Sequence, residues 1–344
     1  MRHVGIIGYG KMGRIRAETF DALPDFEVTR VFDVHYDQAP DKPTAASIDE
    51  MVADPDLDVL VISLPNYLVK DTTIAALRAG KHVFCEKPPA MTGADLAEIQ
   101  EVHTASNRTL MYGFNHRRHG GVMKMKELVD GGTLGRVLWM RGRYGKSVDA
   151  EYLTGWRADK DKAGGGILLD QGIHMLDLFL HIAGRPFDEV QAMVSSLYWQ
   201  TPGIEDNVFA MMRNSETGVV AQLHSTMTQW RHLFSLEVFL SRGYMVLNGL
   251  KTGSGSYGEE VLTVAQNRTI APAATWEQEE TFKFEVDTSW ETEAAEFRDA
   301  VNDPERQGHG TVAHARQVME LIDRIYAHDT HVGHELYDDL QGRD

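Results

Sequence analysis

The stretch His3 to Gly13, HVGIIGYGKMG, limits the possible folds of this chain more than any other. Residues 3 to 8 form a short apolar run that reads as a buried strand, and Gly8, Gly10 and Gly13 follow at GxGxxG spacing. Ile15, Thr19, Phe20 and Leu23 then continue as one side of a helix. Glycine turns are common, so the motif carries weight only because a strand precedes it and a helix follows. The first glycine permits a tight turn, the second lets the backbone approach a pyrophosphate, and the third lets helix pack on strand. Free amide groups at the helix start then face the negative charge. Tyr9, Lys11 and Met12 complete the turn and join the three glycines as expected cofactor contacts.

A second apolar run, Val28 to Phe32, ends at Asp33, twenty residues beyond Gly13. An acid there accepts hydrogen bonds from an adenosine ribose and repels a 2'-phosphate, which favours NAD over NADP. Arg30 and His35 are the basic neighbours that bear on this choice. Strands at Val59 to Leu64, His82 to Cys85 and Thr109 to Phe114 alternate with helices from about Asp71 to Ala79 and from about Thr92 to Ser106. The alternation predicts a parallel sheet with helices on both faces. Pro65-Asn66 and Glu86-Lys87-Pro88-Pro89 then fall just after strands, at the edge where such sheets bind ligands. A lone lysine is usually a solvated surface group, but this position and the prolines that restrict it give Lys87 a functional reading. Glu86 either orients that amine or is an ordinary turn acid.

A chain of 344 residues is long enough for about two cores. Composition shifts after Phe114, where Asn115-His116-Arg117-Arg118-His119-Gly120-Gly121 leads into a helix over Met123 to Val129. The expected domains are therefore a Rossmann dinucleotide-binding domain, 1–118, and an α+β domain for substrate and oligomerisation, 119–344. Strands are expected at Val137 to Arg143, Val190 to Tyr198, Asn207 to Met212, Val219 to Thr226, Phe234 to Leu240, Gly243 to Leu247 and Val261 to Val264. With polar or glycine turns between them, they predict a mostly antiparallel sheet. Helices are expected at Glu291 to Ala300 and Val312 to Ala327, the last packing back on the first domain; the acidic run Glu277 to Glu280 reads as a solvated loop and Glu335 to Asp344 as a frayed tail.

Between the first two of those strands lies Gly164-Gly165-Gly166-Ile167-Leu168-Leu169-Asp170-Gln171-Gly172-Ile173-His174. Leu169, Ile173, Leu176, Leu180 and Ala183 recur at helical spacing, and Asp170, His174, Asp177 and His181 form the opposite stripe. Residues four apart stand over one another, so Asp170 and His174 can address one point, while the glycines let the backbone come close to a bound group. Taken alone, Asp170 would be a helix cap and His174 an ordinary side chain. A hydride acceptor already expected from the first domain needs a proton acceptor near the alcohol, and histidine titrates near working pH. His174 is thus read as base in oxidation and acid in reduction, Lys87 as the cation that steadies developing alkoxide charge, and Asp170 as the group orienting Lys87 or a substrate hydroxyl. Lys87 is the alternative proton carrier. Trp156, Arg157, Asn115 and Arg117 are candidates for the substrate wall, and Arg157 would suit a carboxylate or phosphate.

Fifty-one acidic and 34 basic residues give a net charge of −17, which opposes binding to nucleic acid or anionic lipid; Arg117-Arg118 with its histidines is the only basic cluster of note. The single Cys85 excludes an internal disulfide and a cysteine-rich zinc site. With no signal peptide or long apolar run, the reading is a cytoplasmic protein. Asp and His could serve a metal, but the nicotinamide chemistry needs none, and no metal is expected.

On these residues the chain resembles the family of glucose-fructose oxidoreductase, inositol dehydrogenase and rhizopine-catabolism proteins (Gfo/Idh/MocA). The glycine turn at Gly8 to Gly13 is similar to its cofactor turn, Glu86-Lys87-Pro88 to its catalytic lysine signature, and Gly164 to His174 to its substrate-domain signature. The resemblance implies a large open sheet in the second domain, homodimers or homotetramers formed through it, and a substrate among inositols, sugars, sugar acids and nucleotide sugars. At Val69 the family often carries a histidine, so the contacts on the nicotinamide side depart from its pattern. Some relatives bind dinucleotide only in a regulatory role, and others use held NAD for transient oxidation during glycoside cleavage; both stand as alternatives to a sugar or polyol dehydrogenase.

Overall fold

Apolar residues that must be covered on both faces set the first sheet: β3 (Val59–Ile62) is buried at every position, and β1 (Arg2–Ile7) at its last four. In a computed structural model that describes residues 1–35, 42–149, 151–266, 276–303, 305–306 and 308–328, these strands join β2 (Phe26–Phe32), β4 (His82–Glu86) and β5 (Leu110–Gly113). The order is β2-β1-β3-β4-β5 and every pairing is parallel. Helices α1 (Lys11–Asp21), α2 (Ile48–Ala53), α3 (Asn66–Arg78) and α4 (Gly93–Ser106) connect the strands. The expected parallel sheet is therefore present, with one further short helix, α2, capped by Ser47 through the Glu50 amide.

Helix α3 starts five residues before the expected Asp71. Val69, Thr72, Thr73, Ala76 and Leu77 are buried at helical spacing, which carries the helix back to Pro65, its N-cap residue. Val69, at the position where the family often has histidine, is thus part of the core.

Downstream elements are α5 (Gly120–Asp130), β6 (Val137–Ser147), α6 (Lys160–Ala163), α7 (Ile173–Ala183), β7 (Glu189–Ser195), β8 (Asn207–Arg213), β9 (Val220–Thr226), β10 (Thr228–Leu240), β11 (Gly243–Asn248), β12 (Glu260–Gln266), β13 (Glu280–Phe284), α8 (Ser289–Asn302) and α9 (Val312–Tyr326). Their strands form an eight-stranded sheet, β13-β12-β11-β10-β6-β9-β8-β7, antiparallel except for the β6–β9 pair. This is the mostly antiparallel second sheet that the sequence predicts. The acidic run is largely exposed, as expected, but is not all loop: Trp276–Gln278 makes a 3₁₀ turn, Glu279 accepts a hydrogen bond from the Tyr244 hydroxyl at 2.5 Å, and Glu280 opens β13. Glu335 to Asp344 lies outside the described residues.

The chain divides into two compact units. The first comprises Met1–Arg118, Asp161–Gly164 and Thr288–Met319; the second comprises His119–Lys160, Gly165–Asp287 and Glu320–Asp344. In the first, Phe297 of α8 packs edge-on against Phe20 and Phe84, with ring centroids 5.8 and 5.5 Å apart, so a late helix completes an early core. In the second, α7 lies on the face of β6 that carries Gly142: a Cβ there would meet the Met175 sulfur at 2.4 Å. The other face of that sheet leaves Met193, Phe209 and Met211 largely exposed.

Candidate active site

The three glycines of the first turn do three different things. Gly8 has φ +91° and sits where a Cβ would meet the Ser63 carbonyl oxygen at 2.4 Å. At Gly13 the same atom would meet the Gly8 carbonyl oxygen at 1.9 Å, so this glycine lets α1 close on β1. Around Gly10 nothing lies within 4 Å of that position. Gly10 is also the N-cap of α1, where no side chain caps the helix and no acid occupies the first turn. Exposed amides beside open space are what a pyrophosphate requires. Around them Lys11 is exposed, Met12 is half-buried, and Tyr9 is buried beneath the Arg14 guanidinium.

Asp33, just past β2, accepts from the Tyr9 amide at 2.8 Å and from the His35 amide at 2.9 Å, which holds its carboxylate beside the turn. Arg30 is bound instead to Asp54, at 2.7 Å, and to Glu50. These partners raise its pKa, the Asp54 hydrogen bond most, and keep the guanidinium engaged. The residues present fit a dinucleotide with a free 2'-hydroxyl.

Asn66 opens α3 after Pro65, and its side-chain amide donates to the Ala163 carbonyl at 2.7 Å. Lys87 follows β4 directly, is half-buried and precedes a cis bond to Pro88. Glu86 is neither free to orient Lys87 nor an ordinary turn acid. The Arg16 guanidinium, wholly buried, donates to Glu86 at 2.6 Å and to Glu293 of α8 at 2.6 Å, and stacks on Phe84 and Trp290. Arg118 joins from the other side, with Glu293 at 3.4 Å and Glu296 at 2.5 Å. The basic run at 115–119 is accordingly not a surface patch: all five residues are buried. Asn115 donates to the Ser289 hydroxyl at 3.0 Å, Arg117 is 3% exposed, and His119 sits 3.0 Å from the Glu260 carboxylate. A sequence does not reveal this network, because Glu293 and Glu296 lie more than 170 residues from Arg118 and Glu86 lies 70 from Arg16.

The Gly164 to Gly166 run requires a correction as well. A Cβ at Gly165 would meet the Tyr326 hydroxyl at 2.1 Å, and at Gly166 the Glu205 carbonyl oxygen at 2.0 Å. The close approach is therefore to this chain's own residues. Buried Glu205 accepts from the Gly166 and Leu168 amides at 2.7 and 2.9 Å and from the Tyr326 hydroxyl at 2.9 Å.

Beyond that anchor, Leu168–Gly172 forms a π-helical turn that runs into α7. Asp170 thus sits inside a helical turn and caps nothing, and the expected polar stripe is absent: Asp177 is wholly buried and His174 is 5% exposed. One Asp170 oxygen accepts from the Tyr152 hydroxyl, from Lys146 at 3.2 Å and from the Gln171 amide at 3.2 Å. His174 faces the Tyr144 ring, whose centroid is 6.3 Å away, and Tyr144 packs on Tyr257 at 5.3 Å, which in turn meets His232 at 4.8 Å. Burial first, then neighbouring charge that includes Asp170, raises the pKa of Tyr144, Tyr152 and Tyr257, so all three phenols stay protonated. Trp156 and Arg157 belong to a 3₁₀ turn, Gly155–Ala158, in which the guanidinium lies 4.3 Å from the Trp156 ring and 5.5 Å from that of Tyr152.

Within the second unit, then, Asp170, His174, Trp156 and Arg157 come into one cluster, and Asn115 and Arg117 belong to the first unit. Tyr144, Lys146, Tyr152, His232 and Tyr257 escaped the sequence reading. The available signal was period two: Tyr144 and Lys146 follow Met140 and Gly142 on one face of β6, which runs past the expected end at Arg143 to Ser147. Among the described residues no group of His, Cys, Asp and Glu has the arrangement of a metal site.

An uncapped glycine turn on a parallel sheet, joined to a mostly antiparallel unit bearing an Asp-His turn, defines a dinucleotide-binding oxidoreductase. Residues 2–114 match the oxidoreductase family with an NAD-binding Rossmann fold, and residues 122–246 match the GFO/IDH/MocA C-terminal domain. The chain belongs to this GFO/IDH/MocA oxidoreductase family. It is 30% identical over 269 residues to 1,5-anhydro-D-fructose reductase of Ensifer adhaerens, covering 78% of this chain and 74% of that one. Myo-inositol 2-dehydrogenase of Thermotoga maritima is 27% identical over 260 residues, 72% of this chain and 75% of its own. In three dimensions the chain is similar to levoglucosan dehydrogenase in complex with NADH and L-sorbose, with TM-score 0.82 and 24% identity over 95% of this chain and 96% of that one.

Proposed function

We propose that this oxidoreductase uses NAD, in preference to NADP, to move a hydride between nicotinamide and a ring hydroxyl or ketone of a sugar or polyol. The observation that carries the reading is the pairing of an open, uncapped glycine turn with an Asp170-His174 turn set among phenols. Gly8 to Gly13, Asp33, Pro65, Asn66 and the Glu86-Lys87 turn hold the dinucleotide, which supplies the hydride acceptor when bound. His174 takes the hydroxyl proton in oxidation and returns it in reduction. Lys87 places its ammonium against the oxygen on which negative charge develops. Asp170, already held by Tyr152, Lys146 and Gln171, orients a substrate hydroxyl. The relatives that reduce or oxidise anhydrosugars and inositols support this substrate class.

The test follows reduced nicotinamide by its absorbance, with NAD or NADP, over inositols, free hexoses, sugar acids and nucleotide sugars. Lys87→Ala and His174→Ala are each expected to lower kcat by about 10²-fold or more while NADH binding persists. Undiminished turnover in both variants would remove the assignment. We further propose self-association through the sheet face that exposes Met193, Phe209 and Met211. Phe209→Glu should lower the sedimenting mass, and an unchanged mass would discard this face. Among the described residues no helix is long and apolar enough to cross a membrane.

A further inference from the structure

Three successive amides at the start of the π turn end on one residue. Glu205, two positions before β8 and 5% exposed, accepts from the Gly166 and Leu168 amides on its carboxylate at 2.7 and 2.9 Å, and from the Ile167 amide on its own carbonyl oxygen at 3.0 Å. Such amides are the ones that the start of a helix leaves without partners. From there the register reaches the site directly: the Asp170 amide donates to the Gly166 carbonyl at 3.1 Å, and the Ile173 amide donates to that of Leu168, five residues back. The wider turn also needs Gly172, where a Cβ would meet Leu168 Cδ1 at 2.9 Å and the Ser225 hydroxyl at 3.0 Å. Single π turns in helices are rare and recur at functional sites. Tyr326, the last residue of α9, braces the arrangement: its hydroxyl donates to Glu205 at 2.9 Å and fills the space that a side chain at Gly165 would need.

We propose that Glu205 is a positioning residue of this oxidoreductase: it fixes the π turn so that Asp170 and His174 address one substrate hydroxyl, with Tyr326 as its brace. The proposal rests on the dehydrogenase reading above and adds to it a residue that acts only through the turn. A carboxylate suits this task, since its two oxygens accept from several amides at once and negative charge is favoured at a helix start. The adjacent Asp206 supplies a natural comparison. It is wholly buried and accepts from the Leu197, Tyr198 and Trp199 amides at 2.8, 2.7 and 2.9 Å, so the same chemistry clamps a different loop. A clamp that only stabilises the fold and one that also sets reacting groups then differ in kcat and not in stability.

The experiment compares Glu205→Gln, Asp206→Asn and Tyr326→Phe in the full chain by kcat and KM on the best substrate of the panel above, by NADH affinity, by urea titration and by amide hydrogen exchange. Glutamine keeps the size of Glu205, but whichever way its amide turns, the Gly166 or the Leu168 N–H faces a donor. Glu205→Gln is expected to lower kcat by about 10²-fold, the effect of a displacement of about 1 Å, with NADH affinity within about threefold. Exchange at residues 166–174 should rise about tenfold and stay as it is elsewhere. Asp206→Asn should lose comparable stability and keep kcat within about threefold. Tyr326→Phe removes the brace but keeps both amide bonds, so kcat should fall by about 3- to 10-fold. Comparable loss of stability in Glu205→Gln and Asp206→Asn with kcat kept in both overturns the proposal, and so does faster exchange of the turn that leaves kcat untouched. Should Glu205→Gln not fold, Tyr326→Phe decides, and unchanged kcat and exchange there would overturn it. Exchange is read without turnover. A wild type that turns over no sugar of the panel therefore retires the dehydrogenase reading, while faster exchange confined to the turn still supports the clamp; unchanged exchange in Glu205→Gln overturns the clamp even where the wild type is active.

Discussion

Two clusters of buried charge, one in each unit, are built on opposite principles. In the first, Arg16 and Arg118 meet Glu86, Glu293 and Glu296 at 2.5 to 3.4 Å, and the Arg16 and Glu293 side chains expose nothing to solvent. Burial opposes the Arg16 charge, but Glu86 and Glu293 outweigh it and raise its pKa; Glu293 is itself held above the usual carboxylate range by burial. In the second, Asp170 and Lys146 keep about a fifth of their side-chain surface exposed, 23% and 19%. The first cluster ties α1, the strand end before Lys87 and α8 together. Each cluster keeps one buried guanidinium nitrogen without an acceptor, Arg16 Nη1 and Arg157 Nε, so solvent access and not an unmet donor separates them.

The sharpest way to break this contrast is to remove one member of each cluster. Arg16→Met leaves two buried carboxylates without their main partner and is expected to destabilise the fold by about 3–5 kcal/mol in urea titrations. Asp170→Asn is expected to lower kcat by about 10²-fold, equivalent to about 2.7 kcal/mol, and to shift unfolding by less than about 1.5 kcal/mol. If Asp170→Asn instead lost the larger stability, the second cluster would be architecture too. A step smaller, Gly166→Ala forces a Cβ to within 2.0 Å of the Glu205 carbonyl and is expected to cost about 2–3 kcal/mol in the same titration. An unchanged midpoint would return that glycine to the role of approaching a ligand.

Legibility in the sequence follows the same divide. The first sheet was readable because its signals are local: apolar runs, a glycine turn and Asp33 all act within a few tens of residues. Asp170 and His174 were grouped for the same reason, standing four apart in the sequence. The roles of the Gly165-Gly166 pair and of Glu86 were not, because each is decided by a residue distant in the chain, Tyr326, Glu205, Arg16 and Glu293. The π turn at Leu168–Gly172 was also out of reach, since its apolar spacing matches that of a regular helix. Tyr152 and Tyr257 lie in irregular segments with no period to place them.

The comparison can finally be sharpened with pH through a buried histidine of the first unit. His82, at the start of β4, accepts from the Thr109 amide at 3.1 Å through Nδ1, and burial foremost, with Arg108 beside it, lowers its pKa to about 4. A depressed histidine contributes stability that is present above its unfolded pKa, about 6.5, and is lost as pH falls toward the folded value. The shift would amount to about 3 kcal/mol if the ring were fully shielded, and solvent screening reduces this to about 2 kcal/mol. Wild-type protein should therefore lose about 2 kcal/mol more than His82→Asn in urea titrations between pH 6.5 and pH 4, since Asn keeps an acceptor for Thr109 and does not titrate. Equal losses would show that His82 is not the sensor. The pH profile of kcat should be the same in both proteins, because the proton carrier proposed above is His174 and not His82. A profile that moved with His82→Asn would mean that turnover depends on the packing at the start of β4.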